Sequence, residues 1–184
     1  MSKMKRISQL LCICLLALTF SCETDELFDN ENQSAILAGD WQVTSIESIS
    51  YSSTMVSSGN GESDTTLGSF TGDDIDMKIT FNEDNTFTTS GDYLQVLSIN
   101  NPNLPNPIMV ETRFNDFEGG GTWEFGSSDE LLIQNVAETL PQSAFITSIS
   151  DTNLAFDYAY TRTLIEGTVT RVIDVEVSYT LEKN

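Results

Sequence analysis

From Asp74 to Phe81 every second residue is apolar: Ile75, Met77, Ile79 and Phe81 alternate with Asp74, Asp76, Lys78 and Thr80. A period of two puts the two sets on opposite faces of an extended strand, one buried and one wet. The pattern returns near the C-terminus, where Val169, Ile173, Val175, Val177, Tyr179 and Leu181 alternate with Thr170, Asp174, Glu176, Ser178 and Thr180. Long helical patterns are absent, and Thr, Ser, Val, Ile, Phe and Tyr are abundant. Strands must therefore satisfy one another's backbones.

The punctuation between these segments is short. A first strand is expected over Asp40 to Ser50. The Ser-, Gly- and Thr-rich stretch from Ser52 to Gly72, with its Asn60-Gly61 turn signal, is either a loop at an open rim or a weak hairpin. Asn82 to Asn85 is a hairpin turn, because Asn and Asp tolerate left-handed backbone. The next strand starts at Thr86 and bulges at Gly91. Three prolines between Asn101 and Pro107 remove ladder donors and make that stretch a rigid loop. Met109 to Phe117 is again a strand, and Gly119 to Gly121 is a turn or a point of close backbone approach. Thr122–Phe125 with Leu131–Ile133, and Ala144–Ile149 with Leu154–Thr161, form two further hairpins. Leu154, Phe156, Tyr158 and Tyr160 share one face of the last of these. About eight to ten strands on short turns describe an all-β, antiparallel, up-and-down meander. One apolar face lets such a meander close into a barrel, the expected fold, or fold into a β-sandwich, the alternative.

The N-terminus is of another kind. Lys3, Lys5 and Arg6 precede a mostly apolar run from Ile7 to Phe20, too short for a transmembrane helix and flanked like a signal peptide. Leu18-Thr19-Phe20-Ser21-Cys22 then places a small residue before a cysteine. This resembles the lipobox of bacterial lipoproteins, in which the cysteine is lipidated and becomes the new N-terminus. The other reading is an ordinary signal peptide with an incidental cysteine. Of three cysteines, Cys12 and Cys14 would leave with the signal peptide, so Cys22 has no internal disulfide partner. Acylation explains such a thiol, and two or three acyl chains anchor stably. The expected organisation is a signal peptide over 1–21, an acidic tether over 22–36 and one domain over 37–184. Glu23, Asp25 and Glu26 resemble the surface-export signal of Bacteroidota lipoproteins, or are simply a solvated tether. The expected place is the outer membrane, lipid-anchored, with surface or periplasmic face left open.

Charge excludes several classes. Beyond residue 21 the chain holds five cations (Lys78, Arg113, Arg162, Arg171, Lys183) against 28 Asp and Glu, an excess of 23 negative charges. That leaves no basic footprint for nucleic acid and no electrostatic hold on anionic lipid. There is no histidine, which removes His-based triads and most zinc sites. Asp74 and Asp76 lie on the wet face of a strand, so paired-carboxylate catalysis has no support there; the chain is not expected to be an enzyme. No cofactor and no metal is expected. Calcium at Gly59–Asp64 or at Asp73, Asp74 and Asp76 has oxygen ligands but no ligand spacing.

Three further motifs carry a second resemblance. Leu37-Ala38-Gly39-Asp40-Trp41 has a Gly-x-Trp at the head of the meander. Phe81-Asn82-Glu83-Asp84-Asn85-Thr86-Phe87 is a Phe-Asn-x-Asp-Asn-Thr-Phe hairpin, and Gly121-Thr122-Trp123 opens a later strand. Together they resemble the lipocalin-like domains of Bacteroidota lipoproteins, over most of residues 37–184. The resemblance implies a barrel with Gly39 and Trp41 at the start of its first strand. It makes Lys183 a candidate to pack over Trp41 as a cation–π contact, against a frayed terminal lysine. It implies a small, largely apolar ligand. Phe81, Phe87, Phe156, Tyr158 and Tyr179 have the parity to line the lumen, or simply to fill it. The competing function is a surface interaction module with a filled barrel, binding a protein or glycan through its loops. The acidity of the chain favours a neutral or cationic ligand. Arg171 shares the parity of Val169 and Ile173, so it points to the apolar face unless a bulge intervenes.

Overall fold

A computed structural model describes residues 30–57, 63–100, 104–126, 129–136 and 140–184. The signal peptide, Cys22, the acidic residues after it, the Asn60-Gly61 turn and the start of the proline loop lie outside the described residues. A helix, α1 (Asn30–Leu37), leads into eight strands: β1 (Gly39–Ser57), β2 (Ser63–Phe81), β3 (Thr86–Asn100), β4 (Ile108–Phe125), β5 (Glu130–Asn135), β6 (Gln142–Ile149), β7 (Asn153–Glu166) and β8 (Val169–Lys183). Each pairs antiparallel with its neighbour in sequence, and β8 returns to pair with β1. The ring is closed, an up-and-down barrel of lipocalin-like architecture. A sandwich would have left two sheets with open edges. Among the described residues no helix is long and apolar enough to cross a membrane.

The stretch from Ser52 to Gly72 is a hairpin of long strands. Tyr51 pairs with Gly68 and Val56 with Ser63, and the hydroxyls of Thr54 and Thr65 meet at 2.9 Å. Its polarity reflects its place at the rim, where neither face need be apolar. Gly119 to Gly121 lie inside β4, not in a turn. There the backbones crowd: a Cβ on Gly121 would stand 1.9 Å from the Gln134 carbonyl oxygen and one on Gly120 2.7 Å from that of Phe87. Asn85 turns the β2–β3 hairpin at φ 65°. The bulge expected at Gly91 falls instead on the two neighbouring strands, in β2 between Asp73 and Asp76 and in β4 between Phe114 and Phe117, where Asp74 and Asp116 have positive φ.

One end of the barrel is solid. Trp41, Phe81, Leu131, Leu154 and Leu181 are fully buried there, with Phe81 edge-on to Trp123 at 5.9 Å. The helix α1 plugs this end through Leu37, which has no exposed surface. Both Gln33 and Leu37 of this helix are buried.

The last turn of α1 would leave carbonyls unpaired, and the barrel supplies the donors. The Trp41 indole Nε1 donates to the Leu37 oxygen at 2.7 Å. The Lys183 ammonium donates to the Ile36 oxygen at 2.7 Å and lies 5.0 Å from the Trp41 ring centroid. A cation at a helix C-terminus also opposes the helix dipole. Gly39 makes room for this clamp: at φ 129° it holds a backbone that side chains avoid, and a Cβ there would meet Lys183 Cε at 3.0 Å.

The other end is open on one side, because β5 and β6 are short. β4 meets β5 only from Gly121 to Phe125, and β7 meets β6 only up to Tyr158. Above that level, among the described residues, the free edges of β4 and β7 flank a slot. The six strands β4, β3, β2, β1, β8 and β7 continue upward as a curved sheet whose concave face extends the lumen.

Candidate functional site

Directly above the solid end lies a cavity of about 200 Å³, walled chiefly by Phe87, Phe117, Ile133, Phe156, Tyr158 and Tyr179. Four of the five residues expected from parity are therefore here. Phe156 and Tyr179 stack at 5.2 Å across β7 and β8. The Tyr158 hydroxyl donates to Gln142 Oε1 at 3.0 Å and accepts from Asn135 Nδ2 at 3.5 Å, which fixes its ring at the wall. The fifth, Phe81, is a correction: it is 2 % exposed and packs among Phe87 and Trp123 beneath the cavity. Larger hollows, of about 510 and 470 Å³, open to solvent around Asp174 and Glu176 and beside Leu104 to Pro107. Neither gathers aromatic rings as the lumen does.

Above the cavity the concave face continues with Tyr51, Tyr93, Leu97, Tyr160 and Ile173, all packed against the core. Tyr93 stacks on Phe114 at 4.7 Å, and Tyr51 meets Phe70 edge-on at 6.4 Å. All five tyrosines of the chain thus share one inner surface. Tyr160 was legible in the sequence, since it follows Tyr158 with the same parity. Tyr51 and Tyr93 were not. Tyr51 lies past the end expected for the first strand at Ser50, and Tyr93 lies past the bulge expected at Gly91. In the structure the extra residues lie in β2 and β4, so Tyr93 keeps the parity of Phe87.

Burial sets the ionisation of these phenols. Tyr93 is pushed up to about 12 by desolvation, with the nearby Tyr160 adding to the rise. Burial likewise lifts Tyr179 well above the ordinary range, helped by Tyr93, Tyr160 and Tyr158. Tyr160 is raised by burial too, and the charge of Arg162 offsets part of it. All three are O–H donors at neutral pH.

Of the stretches considered for calcium, Gly59 to Glu62 lies outside the described residues, and the described acidic residues do not gather. The Arg113 guanidinium pairs with the Asp74 carboxylate, and Asp73 Oδ1 accepts the Asp74 backbone N–H at 2.8 Å. Among the described residues no three Asp, Glu, Cys or His side chains stand together as a metal site. Arg171 keeps the inner-face register its parity implied, opposite Met55 of β1 and Leu164 of β7. It sits at the rim, where its Nη2 lies 3.4 Å from Met55 Sδ.

No protein-family model, curated protein or solved structure matches the chain. The site must therefore be read from its own chemistry. Its walls are aromatic and aliphatic, its polar groups are phenols, an amide and the Thr89 hydroxyl, and it has a side opening. Among the described residues it pairs no nucleophile with a base.

Proposed function

We propose that this protein is a lipid-anchored carrier or receptor that holds a small, largely apolar molecule in its lumen, and that it is not a catalyst. The observation that carries the reading is the cavity between Phe87, Phe156, Tyr158 and Tyr179, which is lined by rings and continuous with an open slot. Binding sites of this kind are concave, mostly apolar and provided with few polar groups. The anchor is Cys22, at the end of the signal segment, and the outer membrane is the proposed place.

Two experiments test this. The chain carrying Cys22→Ala should be found in the soluble periplasmic fraction or uncleaved, whereas the parent chain partitions with membranes at high salt and alkaline carbonate. Persistent membrane association of the variant would remove the anchor. Titration of the soluble variant with the uncharged dye N-phenyl-1-naphthylamine should give saturable fluorescence enhancement, weakened when Tyr158→Trp fills the cavity. A well-folded protein that binds no dye would point to the interaction module instead. That second reading is favoured by one observation: the free edge of β4 exposes Ile108, Met109 and Val110, and an open edge with apolar side chains can accept a partner's strand.

A further inference from the structure

The outside of this barrel is acidic, but the inside is not. The strand registers assign each charged residue to a face. Val175 and Val177 are buried in the lumen, and no register shift separates β7 from β8. Tyr158, Tyr160, Arg162 and Leu164 on β7 therefore share the inner face with Arg171, Ile173, Val175 and Val177 on β8. Met55, paired with Arg171, lies inside as well. Among the described strand residues the acids on this face are Asp64, opposite Met55, and Glu166, opposite Val169. Both stand at the outermost tips of their strands. Asp64 stands in the same row as Arg171, since Met55 pairs with both, and Glu166 stands one step further out. Below that row the inner face carries no carboxylate in register, and Arg162 stands there.

That distribution departs from the composition. Of five cations beyond residue 21, three face inward. Lys183 is used in the clamp on Trp41. The outward pair are Lys78, opposite Gln42, and Arg113, which is joined to Asp74. No carboxylate lies within ion-pair distance of Arg162 or Arg171 among the described residues. Next to Arg162 is Tyr160, whose phenol feels its charge. On β7 and β8 the mouth therefore holds two neighbouring guanidinium groups and protonated phenols, with Asp64 two strands away on β2 and Glu166 at the tip of β7, neither ion-paired to an arginine among the described residues. Arg162 lies four residues along β7 from Tyr158, about 13 Å at the rise of an extended strand.

We propose that the lumen takes a single-chain anionic amphiphile, its apolar chain in the cavity at Phe156 and Tyr179 and its anionic head between Arg162 and Arg171 at the mouth. This rests on the lumen being a binding site, and it replaces the neutral or cationic ligand expected from net charge. Salt screens the outer carboxylates over about 10 Å, so the charges in contact decide the sign. The acidic exterior still has a role: it opposes adsorption to anionic bilayers and leaves the mouth as the place where such a molecule is welcome.

The test compares dodecanoate with dodecanol, which differ in the charged head, on the chain carrying Cys22→Ala, by displacement of N-phenyl-1-naphthylamine. Dodecanoate should bind about ten-fold more tightly than dodecanol. Replacing both Arg162→Gln and Arg171→Gln should remove that advantage and leave dodecanol and dye affinity unchanged. The outer pair Lys78→Gln and Arg113→Gln, with the same change in net charge, should leave it intact. Equal affinity for the two amphiphiles overturns the proposal, as does an advantage that survives the inner substitutions or falls equally with the outer ones. Dye binding without dodecanoate binding sinks the anionic ligand alone; a folded protein that binds neither sinks the carrier reading with it.

Discussion

Trp41 does three things at once: it fills the base of the barrel, donates its indole N–H to Leu37, and offers its face to Lys183. Trp41→Ala should lower stability by about 3–5 kcal/mol, the range for deleting a buried aromatic. Lys183→Met keeps the stem and removes the charge, so it should cost about 1–3 kcal/mol through the lost bond to Ile36 and the lost cation–π contact. In a double-mutant cycle by urea unfolding, the two effects should fall short of additivity, because they share the contact. Full additivity would separate the lysine from the ring. Gln33 is the opposite case. It is 4 % exposed on the plug helix, and neither side-chain polar atom has a partner among the described residues. A buried unpaired amide is unfavourable, so Gln33→Met should raise stability by about 1–2 kcal/mol. A lower urea midpoint for that variant would contradict the unpaired environment.

Among the elements, the lengths of β5 and β6 decide the most. They close the barrel at its base and leave β4 and β7 with free edges above, which gives the lumen its side opening. The β4–β5 join depends on Gly121. A side chain there would drive into the Gln134 carbonyl, with no flexible group to move aside. Gly121→Val should therefore break this join and yield little folded protein, while Gly167→Ala, at an uncrowded turn, should be tolerated with a loss of about 1 kcal/mol. Comparable circular dichroism and melting for the two variants would show that the close approach is relieved by a backbone shift. Such joins are only half visible in sequence. Three consecutive glycines are compatible with a turn or with crowded strands, and the distinction rests on Gln134, distant along the chain.

For the whole molecule, the phenol cluster sets the response to alkali. Tyr93, Tyr160 and Tyr179 all have folded values above the ordinary 10.0. A raised value means the folded state holds its protons more tightly than the unfolded chain. Their contribution is complete below about pH 10 and is lost as pH rises through the folded values, about 12 for Tyr93. The urea midpoint should therefore decline above about pH 10, and Tyr179→Phe should make the decline shallower. A midpoint that rises across that interval would reverse the assigned sign.

The chain by itself determined the class of fold. Alternation at Asp74–Phe81 and in β8, Asn-rich turns and the absence of helical periodicity left few ways to satisfy the backbone, all of them antiparallel sheets. It also marked Gly39, Trp41 and Lys183, and four residues of the cavity wall, since parity within an unbroken strand is a local property. Closure was decided only in three dimensions, because whether β8 returns to β1 or packs face to face depends on the summed twist and stagger of all strands. The bulges, the short β5 and β6, and the gathering of five tyrosines followed from that geometry. So did the sign of charge inside the lumen. Net charge sums over both faces of a sheet, and only the register shows that Arg162 and Arg171 stand inside while most of the carboxylates stand outside.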